Sequence, residues 1–166
     1  MPLISTSSRL GFVLSGALWS ALALLGLGAC GNKIGDSCTT SIDCSIEGSR
    51  ACDISQPGGY CTVQGCDRTS CPDEAICVRF FPSMYLTKPC DPKTEDFGSD
   101  DCAADELCLE SGLCAPRASE RRYCALSCSD GGDCRDGYDC RLVGERGSSS
   151  LDPKAIGRAK FCAPRG

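Results

Sequence analysis

SCTTSIDCSIEGSRACDISQPGGYCTVQGCDRTSCPDEAIC, residues 37–77, carries cysteines at 38, 44, 52, 61, 66, 71 and 77 and never two large aliphatic side chains in succession. A chain of this kind has little apolar surface to bury and many thiols to oxidise. The pattern continues through Cys90, Cys102, Cys108, Cys114, Cys124, Cys128, Cys134, Cys140 and Cys162. With Cys30 that makes 17 cysteines in 166 residues, the composition of a disulfide scaffold. Such density requires an oxidising compartment, because cytosolic thiol buffers keep pairs reduced. The competing use of cysteine, a cytosolic zinc site, fits poorly: the chain has no histidine and no C-x2-C pair, the spacing such sites favour.

The aromatic side chains after residue 37 are Tyr60, Phe80, Phe81, Tyr85, Phe97, Tyr123, Tyr138 and Phe161, too few and too scattered for one large apolar core. Cross-links that lower the entropy of the unfolded chain therefore carry much of the stability, each closed loop contributing about 2–4 kcal/mol. The expected fold is small and disulfide-rich, with little regular secondary structure and short antiparallel β ribbons in two related cysteine-rich halves.

Those halves come from repeated spacings. C-x5-C recurs at Cys38/Cys44, Cys71/Cys77, Cys102/Cys108, Cys108/Cys114, Cys128/Cys134 and Cys134/Cys140, and Asp43, Asp101 and Asp133 each precede a cysteine. The cluster Cys38/Cys44/Cys52/Cys61 resembles Cys90/Cys102/Cys108/Cys114, and the stretch from Gly59-Tyr60-Cys61 to Cys77 resembles that from Arg122-Tyr123-Cys124 to Cys140. An internal duplication accounts for both, with modules at 37–89 and 90–166. Pro82 and Pro89 mark the joint; the alternative is a loop closed by Cys77–Cys90 or Cys66–Cys90. Residues 75–81 and 138–143, β-branched and aromatic, read as strands, with 60–63 and 123–126 as their short partners. The segments Cys71–Cys77 and Cys102–Cys108 are each expected to make one helical turn, Pro72 suiting its first position. Residues 144–160, GERGSSSLDPKAIGRAK, read by composition as a mobile loop. Its cations Arg146, Lys154, Arg158 and Lys160 are expected to be solvated surface, the alternative being a contact site for an anionic envelope component.

The other end of the chain reads differently. MPLISTSSRLG, with Arg9 its one charge, precedes the uncharged apolar run FVLSGALWSALALLGLG. Seventeen residues are slightly long for the apolar region of a signal peptide and just short of a comfortable membrane span of about twenty, so a retained anchor helix is the alternative and the end of the run decides between them. Leu27-Gly28-Ala29-Cys30 resembles the bacterial lipobox. Leu27 matches the upstream aliphatic position, Gly28 and Ala29 the small pair at the cleavage groove, and Cys30 the lipid acceptor. The resemblance implies a signal peptide over 1–29, cleavage before Cys30, and a lipidated polar tether over 30–36. The partner implied is a lipid bilayer, held through acylated Cys30: three hydrocarbon tails at about 0.8 kcal/mol per buried CH2 anchor a protein essentially permanently. Gly31, where lipoproteins kept at the inner membrane commonly carry Asp, implies the outer membrane or cell surface. Setting Cys30 aside leaves sixteen cysteines, an even number for bridging.

The exported part holds all 22 acidic side chains against 16 basic ones, about −6, which argues against nucleic acid as a partner. Without histidine there is no Ser-His-Asp or Cys-His arrangement, and carboxylic-acid catalysis needs apolar pockets that this chain lacks the means to build. No enzyme activity and no cofactor are expected. Two acidic groups, Asp91/Glu95/Asp96/Asp100/Asp101 and Asp130/Asp133/Asp136/Asp139, offer oxygen ligands for calcium. The competing reading makes the aspartate before cysteine a turn signal that accepts backbone hydrogen bonds.

The C-x5-C runs with Asp before cysteine and Gly-Tyr-Cys starts resemble uncharacterised cysteine-rich surface lipoproteins of large-genome predatory soil bacteria. They are looser in likeness to epidermal-growth-factor-like and colipase-like modules, whose six-cysteine register neither half reproduces. The expectation is a surface-anchored lipoprotein whose stapled domain binds an envelope or extracellular protein or glycan. The alternatives are a structural envelope component without a discrete ligand and a protease inhibitor presenting a bridged loop.

Overall fold

Four cysteines make the repeating unit of this chain, and it occurs four times. The computed structural model describes residues 31–95 and 101–166; the expected signal peptide, with Leu27, Gly28 and Ala29, and the acceptor Cys30 lie outside them. In every unit the first cysteine bonds the third and the second bonds the fourth. The pairs are Cys38–Cys52 with Cys44–Cys61, Cys66–Cys77 with Cys71–Cys124, Cys90–Cys108 with Cys102–Cys114, and Cys128–Cys140 with Cys134–Cys162. All sixteen expected bridge cysteines are paired, and eight such bonds mark an exported, extracytoplasmic protein.

Among the described residues one four-residue α-helix, α1 (Ser41–Cys44), and nine short strands hold nine of these cysteines, and the other seven lie in loops. The strands are β1 (Ala51–Cys52), β2 (Cys61–Thr62), β3 (Ala75–Phe80), β4 (Glu106–Cys108), β5 (Cys114–Pro116), β6 (Arg121–Leu126), β7 (Tyr138–Leu142), β8 (Ser148–Ser150) and β9 (Lys160–Pro164). In each unit the third and fourth cysteines face each other across an antiparallel ladder: Cys52 and Cys61 on β1–β2, Cys77 and Cys124 on β3–β6, Cys108 and Cys114 on β4–β5, Cys140 and Cys162 on β7–β9. Facing cysteines do not bond each other; each reaches back to the loop before the ribbon.

That loop is closed the same way four times. The N–H after the first cysteine donates to the side chain just before the second: Thr39 to Asp43 at 2.8 Å, Asp67 to Ser70 at 2.6 Å, Asp91 to Asp101 at 3.3 Å, and Ser129 to Asp133 at 2.7 Å. The aspartate before cysteine is thus a turn device, an oxygen acceptor for backbone N–H groups. A β-turn then follows the second cysteine, with N–H to C=O bonds from Gly48 to Ser45, Ala75 to Pro72, Glu106 to Ala103 and Tyr138 to Arg135. The helical turns expected in Cys71–Cys77 and Cys102–Cys108 are these β-turns instead, because the third cysteine has to enter a strand within a few residues.

The expected strands at 75–81 and 138–143 are present as β3 and β7, with different partners. β3 is central in a sheet of order β6-β3-β8, and β7 pairs with β9. The pairing follows the cysteines, since Cys77 must face Cys124 and Cys140 must face Cys162. Cys90 bonds Cys108, so neither Cys77–Cys90 nor Cys66–Cys90 forms. The β3–β6 ladder and the Cys71–Cys124 bond both cross the 89/90 boundary, and residues 31–166 form one compact unit. The third cysteine unit sits wholly inside the connection between β3 and β6, replacing the twofold division with a nested arrangement of four.

Residues 144–160 correct a second expectation. β8 lies within them, pairs with Val78–Phe80, and Ser148, Ser149 and Ser150 are buried. The open edge of β3 needs backbone partners, and three small side chains fit beneath neighbouring segments. Gly147 makes the approach possible: its φ is +74°, and a Cβ there would lie 2.6 Å from the Phe81 carbonyl oxygen. The tether is likewise part of the fold, for Ile34 is wholly buried and Gly35 donates to the Cys61 carbonyl at 2.9 Å.

Apolar burial is divided as the composition implies. The described residues form four small clusters, two of them centred on Ile34, Tyr60 and Tyr138 and on Val78, Val143 and Phe161. On one face of β3–β6 the guanidinium groups of cross-strand Arg79 and Arg122 are bridged by Glu120, at 2.6 and 3.2 Å, which offsets their repulsion. No helix among the described residues is long and apolar enough to cross a membrane.

Candidate functional site

Side chains alternate along a strand, so the face of β3–β6 opposite Arg79 and Arg122 carries Phe80 across from Arg121 and Val78 across from Tyr123. The β7–β9 ribbon supplies Phe161 across from Arg141. Phe80 meets Tyr123 at 6.2 Å between ring centroids and Phe161 edge-on at 5.6 Å. A mostly apolar cleft of about 370 Å³ opens over these rings, at the small end of ligand pockets.

Its far wall joins Tyr60 of the first cysteine unit to Tyr138 of the fourth. Tyr60 stacks on Tyr138 at 5.5 Å, and the Arg135 guanidinium lies 4.3 Å from the Tyr138 ring centre. The Tyr60 hydroxyl accepts from the Leu126 N–H at 2.9 Å and donates to the Cys162 carbonyl at 3.5 Å. Burial pushes the Tyr60 pKa up to about 12, which keeps the hydroxyl a donor. Tyr138 donates to the Pro57 carbonyl at 3.1 Å and accepts from Arg135 at 2.7 Å. These bonds fix the wall before any ligand arrives.

The rim is cationic on an acidic protein. Arg121, Arg141 and Arg146 border the opening, against Asp53 and Glu145. Arg141 donates to the Pro164 carbonyl, while Arg121 and Arg146 have no ion-pair partner among the described residues. The Asp53 carboxylate is occupied by the Ser55 N–H and hydroxyl, at 3.0 and 2.6 Å, and by Gln56 at 3.3 Å. Flat apolar rings beside unpaired guanidinium groups suit a ligand that joins an anionic group to an apolar face.

Most of the other candidate ligand groups make structural bonds. Cysteine sulfurs cluster closely enough to hold a metal, but each is half of a disulfide and offers no thiolate. Among the acidic groups, Glu95 accepts from Asp101 and Cys102 N–H groups, Asp91 from Lys93 N–H, Asp130 from Gly132 N–H, and Asp139 pairs with Arg165. Asp136 is exposed; Asp96 and Asp100 lie outside the described residues. Backbone donors hold Asp43 and Asp133 below the usual carboxylate pKa, led by the Thr39 N–H for the first and the Ser129 N–H for the second.

Of the cleft residues only Arg146 carries a binding expectation from the sequence, and Cys124 and Cys162 enter it as bridge cysteines. A signal was present: the fourth cysteine of three units follows an aromatic, as Tyr60-Cys61, Tyr123-Cys124 and Phe161-Cys162, and all three rings line the cleft. No family model, no curated protein and no solved structure matches the chain.

Proposed function

We propose that the chain is a lipid-anchored lipoprotein of the outer membrane or cell surface, whose disulfide domain binds an envelope or extracellular protein or glycan in the aromatic cleft. The observation that carries the binding role is the meeting of Tyr123, Phe80 and Phe161 with Arg121 and Arg146 at one opening. The anchor rests on the lipobox resemblance at Leu27-Gly28-Ala29-Cys30. Walls cross-linked and hydrogen-bonded in advance lose little entropy on binding, and the role is non-catalytic.

The ligand feature that fits is a carboxylate, sulfate or phosphate next to a flat apolar surface, as in an acidic sugar or an acidic peptide segment. Arrays of acidic glycans, neutral glycans and acidic peptides, probed with the oxidised protein, separate the two sources. Arg121→Ala should weaken binding of the retained ligand about tenfold, the loss of one charge-assisted hydrogen bond, whereas Arg158→Ala outside the cleft should leave it unchanged. Equal retention of neutral and acidic probes, or indifference to Arg121→Ala, would count against the cleft. Intact-mass measurement of membrane-derived protein tests the anchor: a chain beginning at Cys30 with added acyl mass supports it, and an unmodified Cys30 removes it.

A further inference from the structure

Gly31 is fixed against the body of the protein. A Cβ on it would lie 2.9 Å from the Cys44 carbonyl oxygen and 3.9 Å from Ser45 Cα, so its backbone abuts the end of α1. The next residue is held as well, Asn32 N–H pointing to the Asp43 carbonyl at 3.5 Å and Arg50 Nη1 donating to the Asn32 carbonyl at 2.6 Å. Residue 30 is one peptide unit away, about 3.8 Å from Cα to Cα.

On the segment that Gly31 touches, Ile42 and Ile46 flank Cys44 and are 71% and 78% exposed. Neither packs into an apolar cluster of the fold. Two large aliphatic side chains therefore stand in water on the segment that Gly31 abuts, Gly31 being the residue that follows the acyl acceptor proposed above. A slack tether would let any face approach the membrane; a fixed Gly31 does not.

We infer that α1 and the turn after it rest on the lipid bilayer, with Ile42 and Ile46 seated at the boundary between headgroups and acyl chains. The inference rests on the acylation of Cys30 proposed above. Acyl chains hold the exit point at the interface, and the apolar side chains next to it enter lipid first. The Asp43 carboxylate is occupied by Thr39 and Thr40, while Lys33 is exposed on the stretch between anchor and fold, where an anionic headgroup suits it.

The test uses tryptophan as a depth probe, because the sole tryptophan, Trp19, lies in the expected signal peptide. The full chain carrying Ile46→Trp is expressed in a lipoprotein-processing host and reconstituted in phosphatidylcholine vesicles with bromines near the glycerol. Met84→Trp, at a residue 73% exposed in the nested third unit's approach, serves as the comparison. The expected result is a several-fold stronger quenching for Ile46→Trp than for Met84→Trp. Equal quenching at both, or none at Ile46→Trp, in protein whose mass proves acylation overturns the membrane face and leaves the anchor standing. An unacylated Cys30 overturns both.

Discussion

Replacing Cys71 and Cys124 together by alanine should cost more than removing any other bond of the fold. The bond closes 53 residues of chain, against 11 for Cys66–Cys77 in the same unit. Loop-closure entropy then gives about 4 kcal/mol for the first and about 3 kcal/mol for the second at room temperature. The two bonds hold the same sheet through neighbouring residues, so the difference reports loop length. Alanine is preferred to serine because Cys124 is fully buried and a hydroxyl there would lack a partner. Urea unfolding without reductant, followed by circular dichroism, reads the effect. With a slope of about 2 kcal/mol per molar, the Cys71/Cys124 variant should lose about 2 M in midpoint, and the Cys66/Cys77 variant visibly less. Equal midpoints for the two variants would mean that the β3–β6 ladder stands on its own contacts, refuting the entropic account of this bond.

Acid should loosen the first and fourth units. Asp43 and Asp133 have folded pKa values below the usual carboxylate range, so their contribution is full above the unfolded pKa and fades as pH falls through the lower folded value. Thermal unfolding should be unaffected by these groups near neutrality and weaken below the ordinary carboxylate range. The weakening should be smaller in an Asp43→Asn/Asp133→Asn protein, and an identical acid profile in that variant would count against the loop-closing role. At the alkaline end Tyr60, at about 12 in the fold against 10.0 unfolded, binds its proton longer than the unfolded chain does, so stability should decline between those two values. Spectrophotometric titration should show a late phenolate that is lost in Tyr60→Phe; a titration curve left unchanged by that substitution at its alkaline end would contradict the burial of Tyr60.

The disulfide class, the shortage of regular structure and two of the longer strands were legible because each is local: cysteine density, and β-branched residues at 75–81 and 138–143. The aspartate before cysteine was legible too, since its preference for nearby N–H groups is a property of short side chains. Pairing was not, because sixteen cysteines admit many connectivities and the insertion between Cys77 and Cys124 separates a cross-strand pair by the whole third unit. Ser148-Ser149-Ser150 read as loop because polar composition hides a strand whose burial is decided by the open edge of β3. Nothing local marks Ile34 as wholly buried either, since its partners Tyr60 and Tyr138 come from distant units. The cleft combines rings from three units with Arg121 and Arg141 from two ribbons and Arg146 from the turn before β8, and sequence distance concealed the meeting.

The crossed bonding of every unit has a consequence for biogenesis. A chain threaded out of the cytoplasm from its N-terminal end presents thiols in sequence order, and an oxidase acting on arrival joins neighbours such as Cys38 with Cys44 or Cys66 with Cys71. No native bond links neighbours, and Cys71 waits for Cys124 until the entire third unit has emerged. Maturation is therefore expected to pass through exchange between mispaired sulfurs, and the yield of the native pairing should rise when a disulfide isomerase accompanies the oxidase.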